Sequence, residues 1–581
     1  MKGIPVQFRA LLTNSRGIYR AAMALMVTAI AALILSACGG SSSPSAAGSS
    51  DGAAGGASTS AHQGGTLTIY DSATTFTADP AKSWSLATTS MGLLFRRLTT
   101  WKVAAQGAAQ VIPDLATNTG VASDGGRTWT YHLKHGIYFS NGQPITSYDF
   151  KYAVERTYAP SLSGGLNYQK PLIAGTSGYT GPFTGKSLSS ITTPDADTII
   201  FHLNKPYGDW PWIVSTTSMA AVPAGKAPAA TFGNDPITSG PYAVQSYTPG
   251  RQLVLVRNHY WKQSTDPVRT AGPDRIIFVL NEDSTIEAQT LIADGANAQN
   301  AFGADFVPPA QLDQAESNPT VKARLVTSPA SPLEYLAVNV QSSKLKSASV
   351  REALEYAINR QSVVVASGGP VAAEPATTLI TPGIAGRVNY DLYPAGESGN
   401  VGKAQALLKQ AGNPNLSLTL ASQNDPISLA IAQAVQQAYK QAGINIVIKS
   451  LDTTAWTALT TGNSASGYDL ALTSWQPDFP SAMDNIEPLF AGSMIGNGNY
   501  NISRLNDPQI NALIDQAEGT VDPEAANALW AKADRAILGT GAVIPLVYNK
   551  NSFLRGSRVE NFEIPSFPAY PVYTSVSLAP Q

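Results

Sequence analysis

Cysteine is almost missing from this chain: of 581 residues only Cys38 is one. Without a second thiol there can be no internal disulfide framework, and centres built from clustered thiolates, zinc or iron–sulfur, are excluded. Charge is scarce too. Asp, Glu, Lys and Arg make up 13% of the residues, about half the ~25% usual in soluble proteins. Neither sign dominates, with 38 basic against 40 acidic residues and a net charge of −2, so nothing provides an electrostatic footprint for nucleic acid. The motifs of catalysis are also missing. There is no G-x-S-x-G elbow, no H-E-x-x-H and no G-x-G-x-x-G before a helix. GPFTGKS, Gly181–Ser187, is one residue short of P-loop spacing and lacks the strand-to-helix flank, so it reads as a plain loop. The five histidines include His132 and His135, which fall on opposite faces of a strand and cannot share a metal. Acidic residues are plentiful, but no pair has the spacing of glycosidase chemistry. What is present is a 43% hydrophobic fraction with 49 Gly and 39 Pro, which suits a turn-rich globular chain. Length alone suggests about three to four domains and a large core.

The position of Cys38 matters more than its rarity. Lys2, Arg9, Arg16 and Arg20 precede an uncharged run of 17 residues, Ala21–Ala37, with no acidic residue among them. A basic start followed by an apolar run is a secretory signal, expected over residues 1–37. The run ends in Leu35-Ser36-Ala37-Cys38, which resembles a bacterial lipobox, where the cysteine becomes the lipidated first residue. The alternative is a signal peptide or uncleaved anchor with an incidental cysteine; the run is at the lower edge for a spanning helix. Both readings place the rest of the chain outside the cytoplasm, away from ready ATP or nicotinamide cofactors. Loss of residues 1–37 removes four basic charges, leaving 34 basic against 40 acidic residues, or −6. Gly, Ser and Ala then fill 22 of the 27 positions 39–65. Residues 38–64 are therefore expected to be a lipidated cysteine on a disordered tether of roughly 30 Å r.m.s. span. Several acyl chains, as on a bacterial lipoprotein, would anchor it stably where one would not.

Beyond Gly65 no apolar run is long enough to span a membrane. GGTLTIYD opens with a short alternating strand. Asp124-Gly125 and Asn141-Gly142 are turn signals around a strand pair in which Trp129, Tyr131 and Leu133 alternate with Thr130, His132 and Lys134. A helix is expected over 147–158, capped by Thr146 with Asp149 and presenting Phe150, Ala153, Val154 and Thr157 on one face. The second half is more regular. A helix over SASVREALEYAINRQSVV places Val350, Ala353, Leu354, Ala357 and Ile358 inside, with Arg351 and Glu355 outside. NVGKAQALLKQAGNP is a helix closed by Gly412 and Pro414. The strand LSLTLAS, the helix ISLAIAQAVQQAYKQAG, the strand INIVIKS, the helix TAWTALTTG and the strand YDLALTSW follow. Such alternation implies right-handed crossovers and parallel pairing. Ligands in such sheets sit beyond the carboxyl ends of strands, which nominates Trp475 to Pro480 as cleft lining.

The blocks PDLATNTGVASDGGRTWTYHLKHGIYFSNGQPITSYDFKYAVER, TSGPYAVQSYTPGRQLVLVRNHYW, YLAVNVQSSKLKSASVREALEYAINR, GYDLALTSWQPDF and AVIPLVYN, in this order behind GGTLTI and Asp79-Pro80, resemble the family 5, peptide/nickel-type solute-binding proteins of ABC importers. The resemblance runs from about Gly65 to Phe562. It implies an α/β, two-lobed periplasmic-binding-protein-like fold (type II, cluster C) with an extra inserted domain. Lobe I would comprise 65–92, 194–305 and 549–581; the insert, 93–193; and lobe II, 306–548. It further implies a non-enzymatic monomer without cofactor or metal, lipid-anchored on the outer face of the membrane, that closes on a solute and docks on a permease. For the site, Trp475 and Asp478 match a tryptophan-led segment and an aspartate that faces a peptide's α-amino group, a charge-assisted anchor. Trp456, Trp84 to Leu86 and Tyr548 match other cleft-lining positions. The alternatives are Asp478 as a turn or cap residue between Pro477 and Pro480, and Trp456 as an ordinary core residue. FPSAMDNIEP after WQPD departs from the family pattern and leaves the solute open: peptide first, a sugar or other small solute second. A secreted hydrolase and a sensor or adhesin are the readings from other classes. The low charged fraction suggests an uncharged or weakly charged cleft.

Overall fold

The structure is a computed structural model that describes residues 62–105 and 107–580. The expected signal segment, Cys38 and almost all of the tether lie outside the described residues.

One lobe is built on a five-stranded sheet. Strand Thr66–Asp71 lies between Ala301–Gly303 and Arg275–Leu280, parallel to both, and Gln252–Arg257 and Tyr242–Thr248 continue the sheet antiparallel. Leu67, Ile69, Leu253, Leu255, Ile276 and Phe278 alternate into its core. The C-terminal stretch returns here, with Val559, Phe562, Tyr573, Val576 and Leu578 in the same core.

The other lobe is built on a six-stranded sheet in the order Ala373–Pro375, Val543–Asn549, Leu333–Val338, Leu470–Trp475, Ser417–Gln423, Asn445–Leu451. Strand Ser417–Gln423 is parallel to both of its neighbours, as the strand–helix alternation requires. Leu418 and Leu420 are buried, each contributing about 1.5–3 kcal/mol relative to exposure. Helix Pro426–Gln441 covers them, begun by Asp425, whose carboxylate accepts from the amides of Ile427 and Ser428. Gly443, at φ 83°, turns the chain out of it in the left-handed region. Strands Leu333–Val338 and Val543–Asn549 add an antiparallel half to this sheet.

The chain passes between the lobes twice. The two crossings are tied together where Leu325–Thr327 pairs antiparallel with Ser552–Leu554. Residues 309–322, expected in lobe II, instead form helices whose Ala315 and Val321 pack with Ala288, Leu291, Ala301 and Leu554. The apolar partners on helix Ser284–Ala293 hold this stretch on the first lobe's side.

A four-stranded antiparallel sheet, Val121–Ser123, Thr128–His132, Thr198–His202 and Ile191–Asp195, forms the inserted unit. The boundary expected at 193/194 falls inside its last-named strand. The sheet runs on through Thr198–His202 because Ile199 and Phe201 supply its buried face. Helix Ser147–Arg156 begins with the Thr146/Asp149 capping box and buries Phe150, Ala153 and Val154.

The long helix expected from 347 is two, Ala348–Ala357 and Arg360–Ala366. Asn359 separates them, its side chain accepting from Ser362 N. The expected inner positions are buried, but Glu355 is inside as well, only 1% exposed. Arg360, 3.3 Å away, accounts for its burial. Burial still pushes the Glu355 carboxyl up to about 8.

Candidate functional site

Leu333 pairs on one side with Trp475 and on the other with Tyr548. Both aromatics therefore stand at the same end of the six-stranded sheet. Beyond Trp475 the chain runs through Gln476–Pro480 into helix Ala482–Phe490, capped by Ser481, whose Oγ accepts from Met483 N. Asp484, in its first turn, is fully buried. Its carbonyl accepts from Trp475 Nε1 at 2.7 Å and its carboxylate from Asp478 N at 2.5 Å. The helix start thus locks both the indole and the loop.

Asp478 and Asp484 share a third partner. Tyr168, from the inserted unit, places its hydroxyl 2.5 Å from Asp478 Oδ2 and 3.2 Å from Asp484 Oδ1. Its ring sits edge-on to Phe479 at 5.0 Å, and Trp475 packs against Tyr500 at 5.6 Å. Burial pushes the Asp478 carboxyl up to about 6, although the Tyr168 hydrogen bond works the other way. Burial and then the charge of Asp478 drive Asp484 well above its ordinary value. Among the described residues no cationic side chain acts on either acid. Two buried carboxyls at this separation cannot both be charged without an outside cation; either a proton or an ammonium group must satisfy them. Burial therefore favours the neutral form of both acids.

Three of the expected residues share one extended apolar cluster, which also runs through the inserted unit. Trp456, Trp475 and Tyr548 belong to one core cluster, with Leu86 packed against it from the first lobe. Trp456 and Trp475 are each 6% exposed. Trp84 stands apart, 40% exposed. The Tyr548 hydroxyl donates to Thr378 O at 2.9 Å and accepts from Thr378 N at 3.1 Å. Around this cluster several polar atoms are buried without a hydrogen-bond partner among the described residues: both amide atoms of Gln476, Asn485 Oδ1 and Trp456 Nε1. Buried polar groups are normally satisfied, so these are places where a polar ligand gains most. Among the described residues no group of three or more His, Cys, Asp or Glu side chains could hold a metal ion.

Tyr168, Asp484 and Gln476 were not singled out from sequence. Gln476 lay within the nominated segment. Asp484 had a local signal, the Ser481-x-x-Asp484 capping spacing. Tyr168 is 310 residues from Asp478 and in an irregular stretch, where no periodicity points to it.

Two lobes crossed twice by the chain, with aromatic and acidic residues gathered where the insert reaches the second sheet, define a two-lobed ligand-binding protein. Residues 110–497 match the family described as bacterial extracellular solute-binding proteins, family 5 Middle. The chain belongs to that family. The glutathione-binding protein GsiB of Salmonella choleraesuis (strain SC-B67) is 28% identical over 437 residues, 74% of this chain and 79% of that one. The solved structure of clavulanic acid biosynthesis oligopeptide binding protein 2 is 31% identical, with a TM-score of 0.82 over 89% of this chain and 96% of that one. DppA from Helicobacter pylori, solved with the peptide STSA, is 20% identical with a TM-score of 0.66 over 89% of this chain and 99% of that one. At that identity it shows the fold alone.

Proposed function

We propose that this protein captures a peptide-like solute by closing its two lobes and delivers it to an ABC-type importer, as a monomeric, non-enzymatic binding protein held outside the cytoplasm by a lipid on Cys38. The observation that carries the ligand class is the buried Asp478–Asp484 pair, which has Tyr168 for company and no cation among the described residues. A peptide's α-ammonium group supplies the missing charge, and Trp456, Trp475, Leu86, Tyr548 and the outlying Trp84 line the remainder of the cleft. Names of the relatives agree in kind: glutathione and oligopeptides are both peptide-like.

Tryptophan fluorescence during titration with di- to pentapeptides tests this. Peptides with a free amino end should bind, their N-acetylated forms should not, and Asp478→Ala should cost about 3–5 kcal/mol, as for a broken buried pair. Silence towards every peptide, or equal binding of the acetylated forms, would refute the reading; peptide turnover would replace it with a hydrolase. The anchor rests on Leu35-Ser36-Ala37-Cys38. Cys38→Ser should send the protein into the medium, and lipid labelling that persists in this variant would overturn the anchor.

A further inference from the structure

The chain enters the first lobe at one end of the five-stranded sheet. Thr66, Arg275 and Val256 are in register at that end, and Arg257 pairs there with Tyr242. The entry is tied down: Gly65 N donates to Asp274 Oδ2 at 3.2 Å, and Arg257 Nε donates to Oδ1 of the same carboxylate at 2.9 Å. From Arg257 the chain turns directly into Asn258-His259-Tyr260-Trp261-Lys262. This loop therefore sits at the end of the sheet where the stretch leading from Cys38 arrives. Trp261 roots it, its Nε1 donating to the buried Asp266 at 2.9 Å. Tyr260 is 49% exposed. Its ring lies over the turn at Gly142, where a Cβ would meet it at 2.8 Å.

The loop carries positive charge that nothing beside it neutralises. Lys262 Nζ lies 5.4 Å from the centre of the Tyr138 ring and Lys134 Nζ donates to Thr265 O at 3.3 Å; among the described residues neither has a carboxylate partner. Behind them the guanidinium groups of Arg96, Arg97 and Arg269 share only Asp114 and Asp266. Burial and then the charge of Arg96 lower the Lys134 pKa, against the pull of the two acids. The exposed acids alongside are engaged, Asp274 by Arg257 and Asp197 by His135 at 3.8 Å. In a chain of net charge −2 this is a concentrated cationic surface edged by tyrosine. Lysine over anionic headgroups and tyrosine at their level is the chemistry of a membrane interface.

We propose that this end of the first lobe, through Tyr260, Lys262 and Lys134, rests on the anionic lipid headgroups of the membrane. This rests on the anchored reading and deepens it, since it adds a second, non-covalent contact to the lipid on Cys38 and gives the tethered domain a preferred face. A tether of roughly 30 Å r.m.s. joined at Gly65 keeps this end nearest the bilayer. The tether alone would leave the lobe free to tumble; basic residues within a Debye length of an anionic surface bias it.

Co-sedimentation with vesicles tests the patch. The protein used is the chain from residue 38 onward with Cys38→Ser, which keeps every described residue and carries neither signal segment nor lipid. It should bind vesicles of phosphatidylcholine and phosphatidylglycerol, ignore pure phosphatidylcholine, and come off as salt rises. Lys262→Gln and Lys134→Gln should each weaken binding roughly fivefold. Lys409→Gln and Lys440→Gln, on helices of the second lobe, should leave it unchanged. Thermal melts report that each variant is folded, and Lys262→Gln decides where Lys134→Gln is not. No binding to the anionic vesicles, equal binding to both kinds, or losses matched by the second-lobe variants would overturn the patch. Displacement by inorganic phosphate far beyond that by sodium chloride at equal ionic strength would assign the surface to a soluble anion and overturn it too. Lipid labelling of wild-type Cys38 reports on the anchor separately. A labelled protein whose unlipidated form ignores the vesicles keeps the anchor and loses the patch; an unlabelled one that binds them keeps the patch and loses the anchor.

Discussion

Asp114 illustrates how much a single residue can hold in a chain so poor in charge. It is fully buried, and its carboxylate accepts from Arg96 Nε at 2.8 Å, Arg269 Nη2 at 3.0 Å and Arg97 N at 3.2 Å. Asp266 completes the cluster, 3.1 Å from Arg269 Nη1 and 3.3 Å from Arg96 Nε. Burial works to raise the Asp114 pKa, but the charges of Arg269, Arg96 and Arg97 outweigh it and hold the carboxyl well below the usual range. A carboxyl depressed in the folded state stabilises it above the unfolded pKa, and that contribution is lost as pH falls through the folded value. It is therefore complete at neutral pH. Asp114→Ala leaves buried guanidinium groups without their shared partner and should cost about 3–5 kcal/mol. Denaturant melts at pH 7 measure this; an unchanged midpoint would show that Asp266 alone suffices.

Elements were legible in proportion to how local their signals were. The strands and helices of residues 417–475 fall within a residue or two of their expected places, because Leu416, Leu418 and Leu420 alternate and Asp425 and Gly443 mark a helix start and stop within the stretch itself. The inward turn of Glu355 was not legible. Periodicity assigns a charged residue to the outer face, and only Arg360, folded back from the next helix, makes its burial tolerable. The antiparallel partners of the second sheet were hidden for a related reason: strand Leu333–Val338 pairs with Leu470–Trp475 and Val543–Asn549, each far away in sequence. The site divides the same way. The rule that ligands lie beyond strand ends nominates the segment Trp475 to Pro480, and the family resemblance singles out Trp475 and Asp478 within it. Tyr168 reaches Asp478 and Asp484 from an irregular stretch, where neither spacing nor composition marks it.

At the scale of the molecule, the contact between the inserted unit's exit and the second lobe gathers Asp209, Glu487, Asp515 and Glu518 around Lys205. Lys205 ion-pairs with Glu518, Gly208 N donates to the Glu518 carbonyl at 2.6 Å, and Ser481 Oγ donates to Asp209 at 2.9 Å. Burial raises Asp209 to about 6, eased by Ser481 and reinforced by Glu518. Burial and then Glu518 raise Glu487 to about 8, Lys205 opposing and Asp515 adding to it. Burial also raises Glu518, against the pull of Lys205. Once the lobes part and water reaches these groups, their values fall towards the ordinary range. The closed form therefore binds more protons than the open one between about pH 5 and 8, and closure should weaken as pH rises through that window. Small-angle scattering of the ligand-free protein should show the radius of gyration growing from pH 5 to pH 8. Glu487→Gln should flatten the upper part of that change. Gly208→Ala separates charge from shape, because a Cβ there would meet Thr520 O at 1.8 Å; it should hold the lobes apart at both pH values. A radius independent of pH in the wild type would mean that these carboxyls stay in the same surroundings whether the lobes are open or closed, and that closure is governed by the ligand alone.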